Sequence, residues 1–194
     1  MNLILGRRQK KFSILPYDVS IDSGKAMKVV TPASVSYEKG GAKPKPEVYF
    51  KGVLLEEGVD YTVSYKNNGK ATPADCASNK QPVIVIKGKG NFKGTVSKVF
   101  TVEKASILAT GVLVDDALYA NKKNAWKKVP QLYDVNGKKL SAGKDYEKSF
   151  QYTYADNTPV GANDIPAAGT KIVVTVTAKG DYEGSVSATY LVVN

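Results

Sequence analysis

The sequence predicts an all-β chain: two tandem β-sandwich repeats, preceded by a terminal strand remnant of another repeat. Three observations predict it. Short runs rich in β-branched residues alternate apolar and polar positions with the period of a strand. The same succession of turn and strand signals occurs twice. No long helical periodicity is present in the 194 residues, whose 12 tyrosines, 17 glycines and 9 prolines suit strands punctuated by turns.

Residues 1–20 read as the remnant of a preceding repeat and a joint. NLILGRRQKKFSI resembles NFKGTVSKVFTV further on, with Gly6 over Gly94 and Phe12 over Phe100. The chain is therefore expected to be a fragment of a larger protein, with Met1 placed where the fragment was cut. A secretory signal does not fit this start, because Leu3–Leu5 is too short for its apolar core and precedes the basic cluster. No run approaches the ~20 apolar residues of a membrane helix.

Residues 21–104 form the first repeat. Within it GVDYTVSYKNN, residues 58–68, follows a turn at Gly58, and PVIVIKG is a strand by composition. The stretch GKGNFKGTV that follows invites a phosphate-loop reading. A dinucleotide loop needs G-x-G-x-x-G between a strand and a helix. Here the third glycine comes one residue late, and TVSKVFTVEK alternates as a strand, with Val96, Lys98, Phe100 and Val102 on one face. The expected structure is a hairpin with glycine and asparagine at its tip.

Residues 105–194 form the second repeat. Gly58, Asp60 and Tyr61 correspond to Gly143, Asp145 and Tyr146, and Pro46–Tyr49 to Pro130–Tyr133. Gly90-Asn91-Phe92-Lys93-Gly94 corresponds to Gly180-Asp181-Tyr182-Glu183-Gly184, so Gly88 becomes Ala178 and Lys93 becomes Glu183. A phosphate loop would not survive those exchanges, whereas a turn does. The second copy is longer mainly through residues 155–169. Each repeat, at roughly 80–90 residues, suffices for a sandwich core.

Chemistry is poorly supplied. There is no histidine, which removes the usual general base near neutral pH and the commonest metal ligand. Asp115 and Asp116 would point to opposite faces of a strand, and Glu56 and Glu57 read as turn carboxylates. The single Cys76 lies in a polar loop and excludes an intrachain disulfide. No zinc or calcium pattern is present. A non-enzyme without cofactor, metal or catalytic residues is expected. The net charge is +10, while residues 105–194 carry ten basic and nine acidic side chains, so the excess lies earlier. Nearly all of it is lysine, the composition of solvated strand edges rather than of a nucleic-acid surface built from arginine forks and stacked aromatics. Neither nucleic-acid binding nor membrane insertion is expected.

One cluster carries the candidate site. NKKNAWKK, residues 121–128, sets the only tryptophan between lysine pairs, and the matching EKGGAKPKP of the first repeat has no aromatic. An exposed Trp126 would anchor a partner, since interface hot spots favour Trp, Tyr and Arg; a buried one would be a core aromatic. The second copy also carries Tyr133, Phe150, Tyr152 and Tyr154. The candidate ligand-binding residues are Trp126, Tyr133, Tyr152, Tyr154, Lys127 and Lys128.

The run Gly-x-Asp-Tyr-Thr-Val-Ser-Tyr-Lys-Asn-Asn, followed by an apolar strand and Gly-Lys-Gly-Asn-Phe-x-Gly-Thr-Val-x-Lys-x-Phe-Thr-Val, resembles the Ig-like tandem repeats of large cell-surface proteins from Gram-positive gut Clostridia of the Lachnospiraceae type. PYDVS after Phe12 also fits that family's inter-repeat joint. The resemblance covers both repeats and the remnant, closely over 58–104 and more loosely over 105–194. It implies export, attachment to the cell wall through other parts of the parent chain, contact with neighbouring repeats, and a stalk or binding role. Some members of the group are similar to B-cell superantigens that bind immunoglobulin variable domains. Two functions are therefore open: recognition of a host protein such as immunoglobulin, or of a glycan as an adhesin would, and passive spacing of another domain from the wall.

Overall fold

A computed structural model describes residues 13–19 and 26–194. Of the remnant and joint expected over residues 1–20, residues 1–12 and 20 lie outside the described residues. The fold is all-β and sandwich-like, and among the described residues the only helical segments are the 3-10 turns Ser78–Lys80 and Ile107–Ala109. The described residues fall into two compact units that interleave along the chain. Unit 1 takes residues up to 31, then 45–65 and 84–98; unit 2 takes 32–44, 66–83 and 99–194.

In unit 1, Met27–Val30 pairs antiparallel with Glu47–Phe50, which pairs antiparallel with Val53–Leu54. A second sheet orders Tyr61–Lys66, Val83–Gly88 and Thr95–Val99. Tyr17–Asp18 runs parallel to Phe92–Lys93. The apolar alternation of these strands closes the core: Val19, Met27, Val48, Tyr61, Ile86 and Val96 converge on one interior point, and all six are buried. Tyr17, Phe50 and Phe92 form a tilted and edge-on trio, with ring centroids 4.7 to 6.5 Å apart.

In unit 2, a four-stranded sheet has Ala117–Leu118, Ser185–Val193, Lys171–Thr177 and Gln151–Tyr154 in that order. Gly111–Leu113 pairs antiparallel with Gln131–Tyr133, and Ala105–Ser106 runs parallel to Tyr182–Glu183. Ser34–Ser36 runs parallel to Thr101–Glu103. The core gathers Ala117, Trp126, Ile172, Val174, Tyr190 and Val192.

The strand expected over 95–104 is two strands. Thr95–Val99 belongs to the sheet of Val83–Gly88, whereas Thr101–Glu103 pairs with Ser34–Ser36. At the break, Phe100 is buried and its N–H donates to Pro82 O (3.0 Å), and the Thr101 N–H donates to Ala33 O (2.9 Å). Val96, Phe100 and Val102 are buried as their shared face implies, but Lys98 is exposed. Asp115 and Asp116 lie outside any strand, and Asp116 Oδ1 accepts the Leu191 N–H at 2.8 Å.

The turns that the sequence matched carry the same bonds. Gly58 N–H donates to Tyr61 O (2.7 Å) and Gly143 N–H to Tyr146 O (2.6 Å). Asp60 Oδ2 accepts the Glu56 N–H (3.0 Å), and Asp145 Oδ2 the Ser141 N–H (2.7 Å). Lys89 N–H donates to Asp60 O (2.8 Å) and Lys179 N–H to Asp145 O (2.9 Å). Gly88 N–H to Gly94 O and Ala178 N–H to Gly184 O, at 3.0 and 2.9 Å, close the two hairpins. GKGNFKGTV is thus strand and hairpin turn, with no helix at its end to receive a phosphate.

Candidate binding site

Five of the six candidate residues come together in unit 2. Trp126 does not take the exposed placement of an anchor: it is 4% exposed and belongs to the core. Its Nε1–H donates to Asp164 O (3.1 Å), and its carbonyl accepts the Tyr190 hydroxyl at 2.8 Å. Burying an indole satisfies its bulk, and these two bonds satisfy the polar groups that go in with it. Tyr152 stands edge-on to Trp126 with centroids 5.2 Å apart and donates its hydroxyl to Lys128 O at 2.9 Å. Tyr154 donates to Asp164 Oδ2 at 2.9 Å, an oxygen that also accepts the Gly161 N–H at 2.8 Å. Lys127 is exposed, with Nζ 5.5 Å from the Trp126 ring centre and 6.0 Å from that of Tyr152. Tyr133 stands apart on the Gln131–Tyr133 strand, where its hydroxyl donates to Gln131 Oε1 at 3.1 Å.

The phenols follow from this burial. Desolvation first pushes the Tyr152 hydroxyl up, and the Tyr154 hydroxyl likewise, with the bond to Asp164 adding to it. Tyr190 is pushed up to about 12, chiefly by burial. Each disfavours phenolate, so these tyrosines act as neutral donors and core bulk.

The open side of the Gln151–Tyr154 strand is already used. The Tyr154 N–H donates to Thr158 O (2.8 Å), and Val160 N–H returns to Tyr152 O (3.0 Å), so the chain covers its own edge. A partner adding a strand would have to displace these bonds.

No known family model and no curated protein matches this chain.

Asp164 and Lys39 were not foreseen from sequence. Asp164 lies in the 155–169 insertion, which read as a loop without a counterpart, yet its carbonyl and carboxylate hold both Trp126 and Tyr154. Lys39 sits in the glycine-rich turn before Ala42. Its Nζ lies 2.6 Å from Asp145 Oδ2, and it also donates to Lys139 O at 2.9 Å. Asp145 is 1% exposed. Neither residue announces these roles locally, because Trp126 lies 38 residues from Asp164 and Asp145 lies 106 from Lys39. Among the described residues, no group of three or more His, Cys, Asp or Glu is placed to hold a metal, and no helix is long and apolar enough to cross a membrane.

Proposed function

We propose that the chain is a non-enzymatic structural module of a bacterial cell-surface protein, a stiff spacer that carries another part of its parent chain away from the wall. The observation that supports this most is the ion pair of Lys39 with buried Asp145. Lys39 belongs by sequence to the first repeat and Asp145 to the second, so the bond crosses the boundary expected at 104/105. Two further contacts accompany it within unit 2. Tyr37 packs edge-on against Tyr182 at 5.4 Å, and the Ala71 N–H donates to Asp181 Oδ1 at 2.9 Å. A stalk needs such boundaries to resist bending, and a desolvated, hydrogen-bonded ion pair is directional enough to set one geometry. Of the second-copy aromatics, which as exposed groups would favour recognition, Trp126, Phe150, Tyr152 and Tyr154 serve the core instead.

The test is a distance distribution between spin labels at Lys43 and Lys148 in a Cys76→Ser background. Both sites are exposed and belong to unit 2. A narrow distribution is expected, broadening in Lys39→Met. A broad distribution in the parent protein removes the spacer reading.

Recognition of a host protein such as an immunoglobulin, or of a glycan, stands as a second reading because Lys127 is exposed and holds its charge against the Trp126 and Tyr152 rings. Immobilised protein would then retain polyclonal IgA or IgM, or a glycan on an array, and Lys127→Ala would weaken the retention. No retention in either format removes this reading.

A further inference from the structure

Unit 2 contains a cleft of about 290 Å³ formed by the 36–39 segment, both ends of the 105–110 segment, the 134–136 turn and Tyr182. Two of its lining residues carry a buried polar atom without a partner among the described residues, Asp134 Oδ2 and Tyr182 Oη. Asp134 is 8% exposed and Tyr182 3%. The other carboxylate oxygen of Asp134 is fully engaged, accepting the N–H groups of Asn136 (2.9 Å) and Lys138 (2.7 Å). Leaving one oxygen of a buried carboxylate unmatched costs free energy that a donor, above all a cationic one, would recover.

The lysines nearby are committed elsewhere. Lys39 lines the cleft but gives its ammonium to Asp145 Oδ2 and Lys139 O, and Lys138 Nζ donates to Lys39 O at 2.6 Å. Among the described residues, no ion pair reaches Asp134. Carboxylates face the cleft within a chain of net charge +10. Glu38 is exposed in the lining. The Tyr182 phenol is pushed well up, by burial first and then by Asp134, with Tyr37, Asp145 and Asp181 adding to it. Tyr37 is raised by burial and by Asp181, Asp145 and Asp134. Ala105, Ala109 and Val135 supply apolar wall. Two tyrosine rings, an unmatched carboxylate oxygen and an apolar wall are what an alkylammonium group needs: a counter-charge for its head and a surface for its stem.

We propose that this cleft binds an organic ammonium group, such as a lysine side chain or a small primary amine, held by the Asp134 carboxylate beside the rings of Tyr37 and Tyr182. The inference stands independently of the spacer reading.

The test uses the whole chain, labelled with nitrogen-15 and titrated with n-butylammonium chloride, alongside sodium chloride, n-butanol and methyl glucoside. The expected result is saturable shifts of the Asn136 and Lys138 amides, which share the Asp134 carboxylate, with butylammonium only. In Asp134→Asn the amide oxygen still accepts those two N–H groups, so the turn is kept while the charge is lost, and affinity is expected to fall at least about tenfold. An absent or unsaturable response to butylammonium overturns the proposal. So does an equal response to butanol or the glucoside, or undiminished affinity in a folded Asp134→Asn. The comparison of butylammonium with butanol on the parent protein decides the matter even if that variant does not fold.

Discussion

The turn at Asp60 in unit 1 and the turn at Asp145 in unit 2 have the same backbone bonds and different surroundings. Each aspartate accepts the N–H four residues before it, and each following loop returns a lysine N–H to the aspartate carbonyl. Asp60 is only half-buried, whereas Asp145 is almost fully enclosed and takes the Lys39 ammonium as well. The difference teaches that glycine and aspartate specify the turn locally, while the energy invested in it is decided by long-range packing.

The largest expected effect falls where unit 2 has something unit 1 lacks. Trp126→Ala removes a core indole that stands edge-on to Tyr152 and should cost about 4 kcal/mol in denaturant unfolding followed by far-ultraviolet circular dichroism. A loss under about 1 kcal/mol would place Trp126 outside the core. Next comes the comparison itself. Asp145→Ala should cost about 3 kcal/mol, because it breaks a buried pair and orphans an N–H. Asp60→Ala should cost only about 1 kcal/mol, the worth of an ordinary hydrogen bond, read from faster hydrogen exchange at the Glu56 amide. Equal costs would mean that Lys39 adds nothing.

The hairpin tips sharpen the contrast at smaller scale. Gly90 and Gly180 have φ of +61° and +66°, a region that strains any L side chain. A Cβ at Gly180 would lie 2.6 Å from Lys144 O, against 3.2 Å from Val59 O at Gly90. Gly180→Ala should therefore cost about 2 kcal/mol and Gly90→Ala about 1 kcal/mol, measured as shifts in denaturation midpoint. The smallest effect is Tyr190→Phe, about 1 kcal/mol for the lost bond to Trp126 O at neutral pH. It carries a pH signature. The Tyr190 hydroxyl is raised from 10.0 to about 12 in the folded protein, so its contribution is full below pH 10 and is lost as pH rises toward 12. The parent protein should lose stability over that window more steeply than Tyr190→Phe.

Much of the frame was legible because it is local. The Gly-x-Asp-Tyr turn, the Val83–Gly88 strand and the Gly90 tip announce themselves through alternation and through residues that tolerate positive φ. Pairing partners were not legible. The alternation of residues 95–104 is equally consistent with one partner or two, and only Phe100, bonded to Pro82 O, reveals the change of sheet. Trp126 in a lysine-rich loop carries no sign of its burial, which depends on Asp164 and on the covered edge at 158–160, both from an insertion without periodicity. Tyr182 was visible only as a member of a matched segment, and Asp134, one residue past the Pro130–Tyr133 match, not at all; their convergence in one cleft is a product of the fold.

The most direct measurement is a double-mutant cycle on Lys39→Met and Asp145→Asn in the whole chain, with stability from denaturant unfolding reported by Trp126 fluorescence. If the buried pair ties residues 32–44 into unit 2, the two substitutions couple by more than about 1 kcal/mol. Additive losses within about 0.3 kcal/mol would contradict it, and the proposed spacer would lose its physical basis.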